Sequence, residues 1–90
     1  MQVNSPVFEA MQVVSGDPLC RRIFDVIADE GGKASGWAVA KRIGAEPESL
    51  KEGFAKLAQS RVLQGTGSGL DGFYFLTEIG FQLRSQIGRG

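Results

Sequence analysis

Histidine is absent from these 90 residues, and cysteine and tryptophan occur once each. Without imidazole there is no His-based zinc site and no Ser-His-Asp or Cys-His relay to activate a nucleophile. Cys20 has no second cysteine to pair with, which excludes an intramolecular disulfide and points to a reducing, cytoplasmic setting. Apolar runs are short; none approaches the ~18 residues that mark a membrane span. Val3 and Val7 lie in an N-terminus with no basic flank and no signal-peptide core. No paired carboxylates or activated nucleophile stand out either, so a non-enzyme without cofactor, metal or membrane partner is expected.

Positive charge is also missing from one long stretch. No lysine or arginine lies between Gln64 and Phe81. Net charge is zero but unevenly spread. Residues 1–32 carry Arg21 and Arg22 against Glu9, Asp17, Asp25, Asp29 and Glu30, a balance of −3. The remainder carries Lys33, Lys41, Arg42, Lys51, Lys56, Arg61, Arg84 and Arg89 against Glu46, Glu48, Glu52, Asp71 and Glu78, a balance of +3. That excess permits nucleic-acid contact without demanding it. The length allows one core, and an apolar fraction of 42% is enough to fill it.

The most informative stretch runs from Lys33 to Leu63. Ser35 is a good N-cap, and Trp37–Ile43 follows as a short helix with Val39, Ala40 and Ile43 on one face. Gly44 stands where a glycine stops a helix in the left-handed conformation. Pro47 suits the first turn of a second helix, where a missing N–H costs nothing. Leu50, Phe54, Leu57 and Ala58 recur at i, i+4, i+7 and i+8, which lays that helix, 47–60, on a core. Two helices joined by a short glycine turn form a helix-turn-helix pattern.

Other elements follow from caps and periodicity. Ser5-Pro6 opens a short helix ending at Gly16, with Val7, Phe8, Met11 and Val14 as its apolar stripe. Such a helix is not stable alone and must pack on its own domain or on a partner. Asp17-Pro18 opens the next, with Leu19, Cys20, Ile23, Phe24 and Ile27 inward and Gly31-Gly32 closing it. On that apolar face Cys20 is a small buried hydrophobe. Arg61–Gln64 and Phe73–Leu76 read as strands around the glycine-rich tip 65–72, a β-hairpin. The tip is no phosphate cradle: no Lys-Ser/Thr follows it, and it lies between strands. Thr77 caps a last helix carrying Ile79, Leu83 and Ile87. The expected fold is mainly α with a small β-hairpin, comprising an N-terminal tail and helix (1–16) and a domain over 17–88. Its core should hold Ile23, Phe24, Ile27, Val39, Ile43, Leu50, Phe54, Leu57, Leu76 and Leu83.

This order of elements resembles a winged helix-turn-helix domain. Val39-Ala40-Lys41-Arg42-Ile43-Gly44 resembles the family's LAxxLG, and Leu57–Leu63 its LxxxGLI, with Ser60-Arg61 where glycine is usual. Phe73–Leu83 resembles the YxLTxxGxxL leaving the wing, as in MarR-like and PadR-like regulators. Together these cover residues 17–87.

The resemblance implies a DNA-binding transcriptional regulator with helix 47–60 in the major groove and the wing on neighbouring backbone. Ser35, Ser49, Lys51, Glu52, Lys56, Gln59, Thr66 and Ser68 are then the candidate contacts to double-stranded DNA. It also implies a homodimer, since such regulators read two-fold sites. Val7, Phe8, Met11, Val14, Trp37, Phe81 and Ile87 are the candidate interface, with the two terminal helices pairing across the axis. Trp37, off the phase of Val39 and Ile43, should point partly outward, its ring on the first helix or on a partner.

A second implication comes from a different quarter. Gly44-Ala45-Glu46-Pro47-Glu48-Ser49-Leu50 is similar to a segment in the dimerisation domain of small-molecule O-methyltransferases. On that likeness the chain is a non-catalytic protein-interaction module. Glu46, Glu48 and Glu52, three carboxylates at the start of the proposed recognition helix, suit this reading better than a duplex does.

Overall fold

The computed structural model describes residues 6–67 and 69–87. Helix α1 (Pro6–Gly16) leads directly into α2 (Pro18–Asp29). Asp17 separates them as the N-cap of α2, its Oδ1 accepting from the amides of Leu19 (3.0 Å) and Cys20 (3.3 Å). Strand β1 (Lys33–Ser35) precedes α3 (Gly36–Ile43) and α4 (Pro47–Gln59). Strand β2 (Leu63–Thr66), a 3-10 turn (Gly69–Asp71), strand β3 (Phe73–Leu76) and helix α5 (Glu78–Ile87) complete the order.

The caps act where the sequence places them. Ser35 Oγ accepts from Ala38 N at 3.1 Å. Gly44 is left-handed (φ 74°) and returns its N–H to Ala40 O. Thr77 Oγ1 accepts from Gly80 N at 3.1 Å and donates back toward the carbonyls of Arg61 and Val62, which ties α5 to the start of β2.

Two expectations are corrected. The sheet has three antiparallel strands in the order β1-β3-β2, where a two-stranded hairpin was expected. The added strand is the short β1, whose residues Lys33, Ala34 and Ser35 pair with Phe75, Tyr74 and Phe73. Three residues are too few for alternation to announce a strand; long-range pairing with β3 makes it one. The first hairpin strand also starts later, at Leu63, because Arg61 and Val62 are used to close α4. Arg61 N donates to Ala58 O and Val62 N to Leu57 O, the paired bonds of a Schellman ending, with Arg61 left-handed at φ 68°. The position that is glycine in the resembling motif therefore keeps a glycine-like backbone while carrying arginine.

The core lies between the helices and the inner face of the sheet. Ile23, Phe24, Ile27, Val39, Leu50, Phe54, Leu57, Leu76 and Leu83 are buried as expected, while Ile43 is only partly buried. Leu63, Leu70 and Tyr74 join them from the hairpin. Phe54 and Tyr74 stack nearly parallel, ring centroids 4.2 Å apart, joining α4 to β3. The glycine-rich tip is correspondingly more structured than a flexible loop: Leu70 is buried, and Tyr74 Oη donates to Gly69 O at 2.8 Å.

Helix α1 packs against α2, α4 and α5 of the same chain, through buried Ala10 and Val14. The two terminal helices, α1 and α5, thus meet each other within one chain. No described helix is long and apolar enough to cross a membrane. The mainly helical arrangement with its small antiparallel sheet is compatible with a winged-helix layout.

Candidate nucleic-acid interface

The turn at Gly44 and the proline start at Pro47 set α4 across α2, with Leu50, Gly53, Phe54 and Leu57 inward. The opposite side, from Glu48 to Gln59, is open to solvent and holds Ser49, Lys51, Glu52, Ala55 and Lys56. The expected contacts thus fall in separate places. Ser49, Lys51, Glu52, Lys56 and Gln59 share this α4 surface, Thr66 is exposed at the end of β2, and Ser68 lies outside the described residues. Ser35 is half-buried and its hydroxyl is already engaged as the α3 cap.

Helix α4 and the hairpin form one continuous surface. A Cβ on Gly69 would lie 3.5–3.7 Å from the Cγ, Cε and Cδ atoms of Lys51, so the lysine stem runs past the tip of the hairpin with room for a methyl group between them. Beside it runs an open groove of about 350 Å³ lined by Lys51, Phe54, Ala55, Ala58, Gly65, Gly67, Gly69 and Tyr74.

Electrostatics on this surface are nearly balanced. Lys56 Nζ donates to Asp17 Oδ2 at 2.8 Å. That hydrogen bond holds the Asp17 carboxyl below the ordinary carboxylate range and pushes Lys56 up. Lys51 Nζ lies 3.7 Å from Glu48 Oε2, one turn away. Elsewhere Arg42 bridges Asp29 and Glu30, and Arg21 pairs with Asp25. Among the described residues no group of three or more His, Cys, Asp or Glu is placed to hold a metal ion.

The expected interface residues do not share one patch. Val14 is fully buried, which corrects its place among partner contacts: in-chain helix packing covers it. Val7, Met11 and Ile87 pack partly against the core. Phe8 and Phe81 are exposed at 57% and 45%, and the tip of the Phe81 ring lies where a Cβ on Gly32 would be. Trp37, 58% exposed, does not settle on a helix; its Nε1 donates to Asp71 Oδ1 at 2.9 Å, pinning α3 to the hairpin tip.

One surface escaped the sequence. The outer face of the sheet has two cross-strand rows, Lys33–Phe75–Gln64 and Ser35–Phe73–Thr66. Phe73 and Phe75 alternate with inward Tyr74 and Leu76, a period-two signal that was available. Without β1, their lysine and serine neighbours could not be seen. No family model matches the chain, and no curated protein matches it.

Proposed function

We propose that this chain is a winged-helix DNA-binding protein, a transcriptional regulator that inserts α4 into the major groove of duplex DNA. The carrying observation is the groove that Lys51, Phe54 and Ala55 of α4 share with Gly65, Gly69 and Tyr74 of the hairpin, which makes the two one surface. A recognition helix needs an exposed polar side held rigidly by its buried side. Here Phe54 locks α4 to Tyr74, and Lys51, Ser49, Glu52 and Gln59 stand clear of the core. Lysine supplies phosphate contact, glutamate accepts from cytosine, and serine and glutamine reach base edges. The hairpin tip serves the adjacent phosphates.

The test is a salt titration of binding to a random-sequence duplex. The wild type should weaken steeply as salt rises, and Lys51→Ala should lower the slope by about one unit while weakening all sequences alike. Binding that is absent at low salt rejects this function.

A second reading has its own observation. Lys56 is held by Asp17, and Glu46, Glu48 and Glu52 oppose the cations of α4, so the surface carries no net positive charge. That suits a non-catalytic protein-interaction module, and absence of duplex binding favours it.

A further inference from the structure

We propose that the outer face of the sheet is a stacking platform for single-stranded nucleic acid, with Phe73 and Phe75 each taking a base and Lys33 taking a phosphate. This surface is distinct from α4. The inner face of β3 meets α4 through the Tyr74–Phe54 stack, so the outer face looks away from it.

Chemistry singles out the occupant. Phe73 and Phe75 project from the central strand two residues apart, with ring centroids 6.1 Å apart and planes tilted by 48°. They are therefore neighbours without being a parallel stack; Phe73 is 41% exposed and Phe75 is half-buried. Aromatic rings in sequence along a strand are what successive unpaired bases stack on, with no need for a particular base. The flanking columns are polar and complementary to a sugar-phosphate chain. Lys33 lies on the β1 side of Phe75 and Gln64 on the β2 side; Thr66 adds a hydroxyl beside Phe73. None of the six outward positions is a carboxylate, in a chain with 10 acidic residues. At these six positions an anionic strand meets one cation and no carboxylate, unlike on α4.

Size argues against a folded protein partner. Three strands about 4.8 Å apart and three or four residues long present a face of about 200 Å². Stable protein interfaces take about 800 Å² from each partner. A face this small fits two stacked bases.

The experiment is fluorescence anisotropy with end-labelled dT and dA decamers, beside a random duplex, at low and moderate salt. The wild type should bind both decamers, with little preference between them. Phe73→Ala should weaken decamer binding about 5- to 150-fold, the range for losing one base–aromatic stack, and leave duplex binding unchanged. Phe73→Tyr should retain binding, whereas Phe73→Leu, which keeps apolar area without a ring, should not. Lys33→Gln should lower the single-strand salt slope by about 0.7. Thermal unfolding of each variant at the wild-type midpoint establishes that the fold is intact; Phe73 is the chosen position because its ring is largely outside the core. No decamer binding by the wild type overturns the proposal, as does equal binding by Phe73→Leu and Phe73→Tyr. Lys51→Ala separates the two surfaces: it should affect the duplex and not the decamers, so loss of either activity alone identifies which assignment fails.

Discussion

Phe54 shows how much one side chain can hold. It is 2% exposed and lies flat against Tyr74, so it fixes both the pitch of α4 and the depth of β3. Phe54→Ala should cost ~3–5 kcal/mol, from lost burial and the cavity left behind. A loss below about 1 kcal/mol in urea unfolding would show that α4 is not seated by this ring. The position was legible because Leu50, Phe54 and Leu57 mark one helical face; its partner was not, because nothing local pairs residue 54 with residue 74. Arg61 is the reverse case. Its left-handed backbone is strained for an L-residue, so Arg61→Gly should raise stability by up to about 1 kcal/mol, the gain reduced by the greater freedom of glycine in the unfolded chain. Denaturant midpoints measure the difference, and a lower midpoint for the glycine variant would mean the arginine side chain stabilises the turn. Cys20 offers a pH prediction. Burial raises its thiol from an ordinary 9.0 to about 11. A group that holds its proton more tightly when folded stabilises the fold fully below the unfolded value, and that contribution disappears between 9.0 and about 11 as pH rises. The native thiol should accordingly resist a disulfide reagent near pH 8 and react at once when urea is added.

At the scale of elements, the five described helices were legible and the sheet only in part. Asp17, Ser35, Gly44, Pro47 and Thr77 are local signals, acting within a turn of where they stand. Strand β1 and the 3-10 turn depend on distant contacts. Gly36 N donates to Gly72 O at 2.9 Å, and Leu70 lies buried beside the start of α3. The approach is so close that a Cβ on Gly36 would sit 2.6 Å from the Leu70 backbone. Gly36→Ala should therefore push the hairpin tip off α3 and cost about 1–3 kcal/mol, as overpacking does. The Trp37–Asp71 hydrogen bond reports the displacement, because Trp37 is the one tryptophan. Its emission should change in the folded variant. A variant with wild-type emission and stability would show that the tip can shift freely, and that the helices and the hairpin are less firmly joined than the Gly36–Gly72 hydrogen bond indicates. The same long-range closure explains why the aromatic outer face of the sheet was invisible: a face has neighbours only once its strands are paired.

For the whole molecule, the question is how a chain of zero net charge would hold a polyanion. Counting charges along the sequence leaves Lys51 and Lys56 as equal candidates on α4. In the folded chain they are not equal, because Lys56 is hydrogen-bonded to Asp17, on the far side of α2's first turn in sequence but beside α4 in space. A lysine so engaged neutralises a carboxylate and contributes little to a phosphate. Asp17 also caps α2, so removing it outright would confound charge with stability. Asp17→Asn avoids this, since asparagine caps a helix about as well as aspartate. The variant keeps the cap, frees Lys56 and removes one negative charge from the edge of the α4 surface. If α4 enters duplex DNA, Asp17→Asn should bind random duplex more tightly at low salt and steepen the salt slope by about one unit, the signature of one added phosphate contact. Lys56→Ala placed on top of it should return the slope to its wild-type value. If affinity and slope stay unchanged in Asp17→Asn while its melting midpoint matches wild type, the freed lysine meets no phosphate, and the α4 surface belongs to a protein partner.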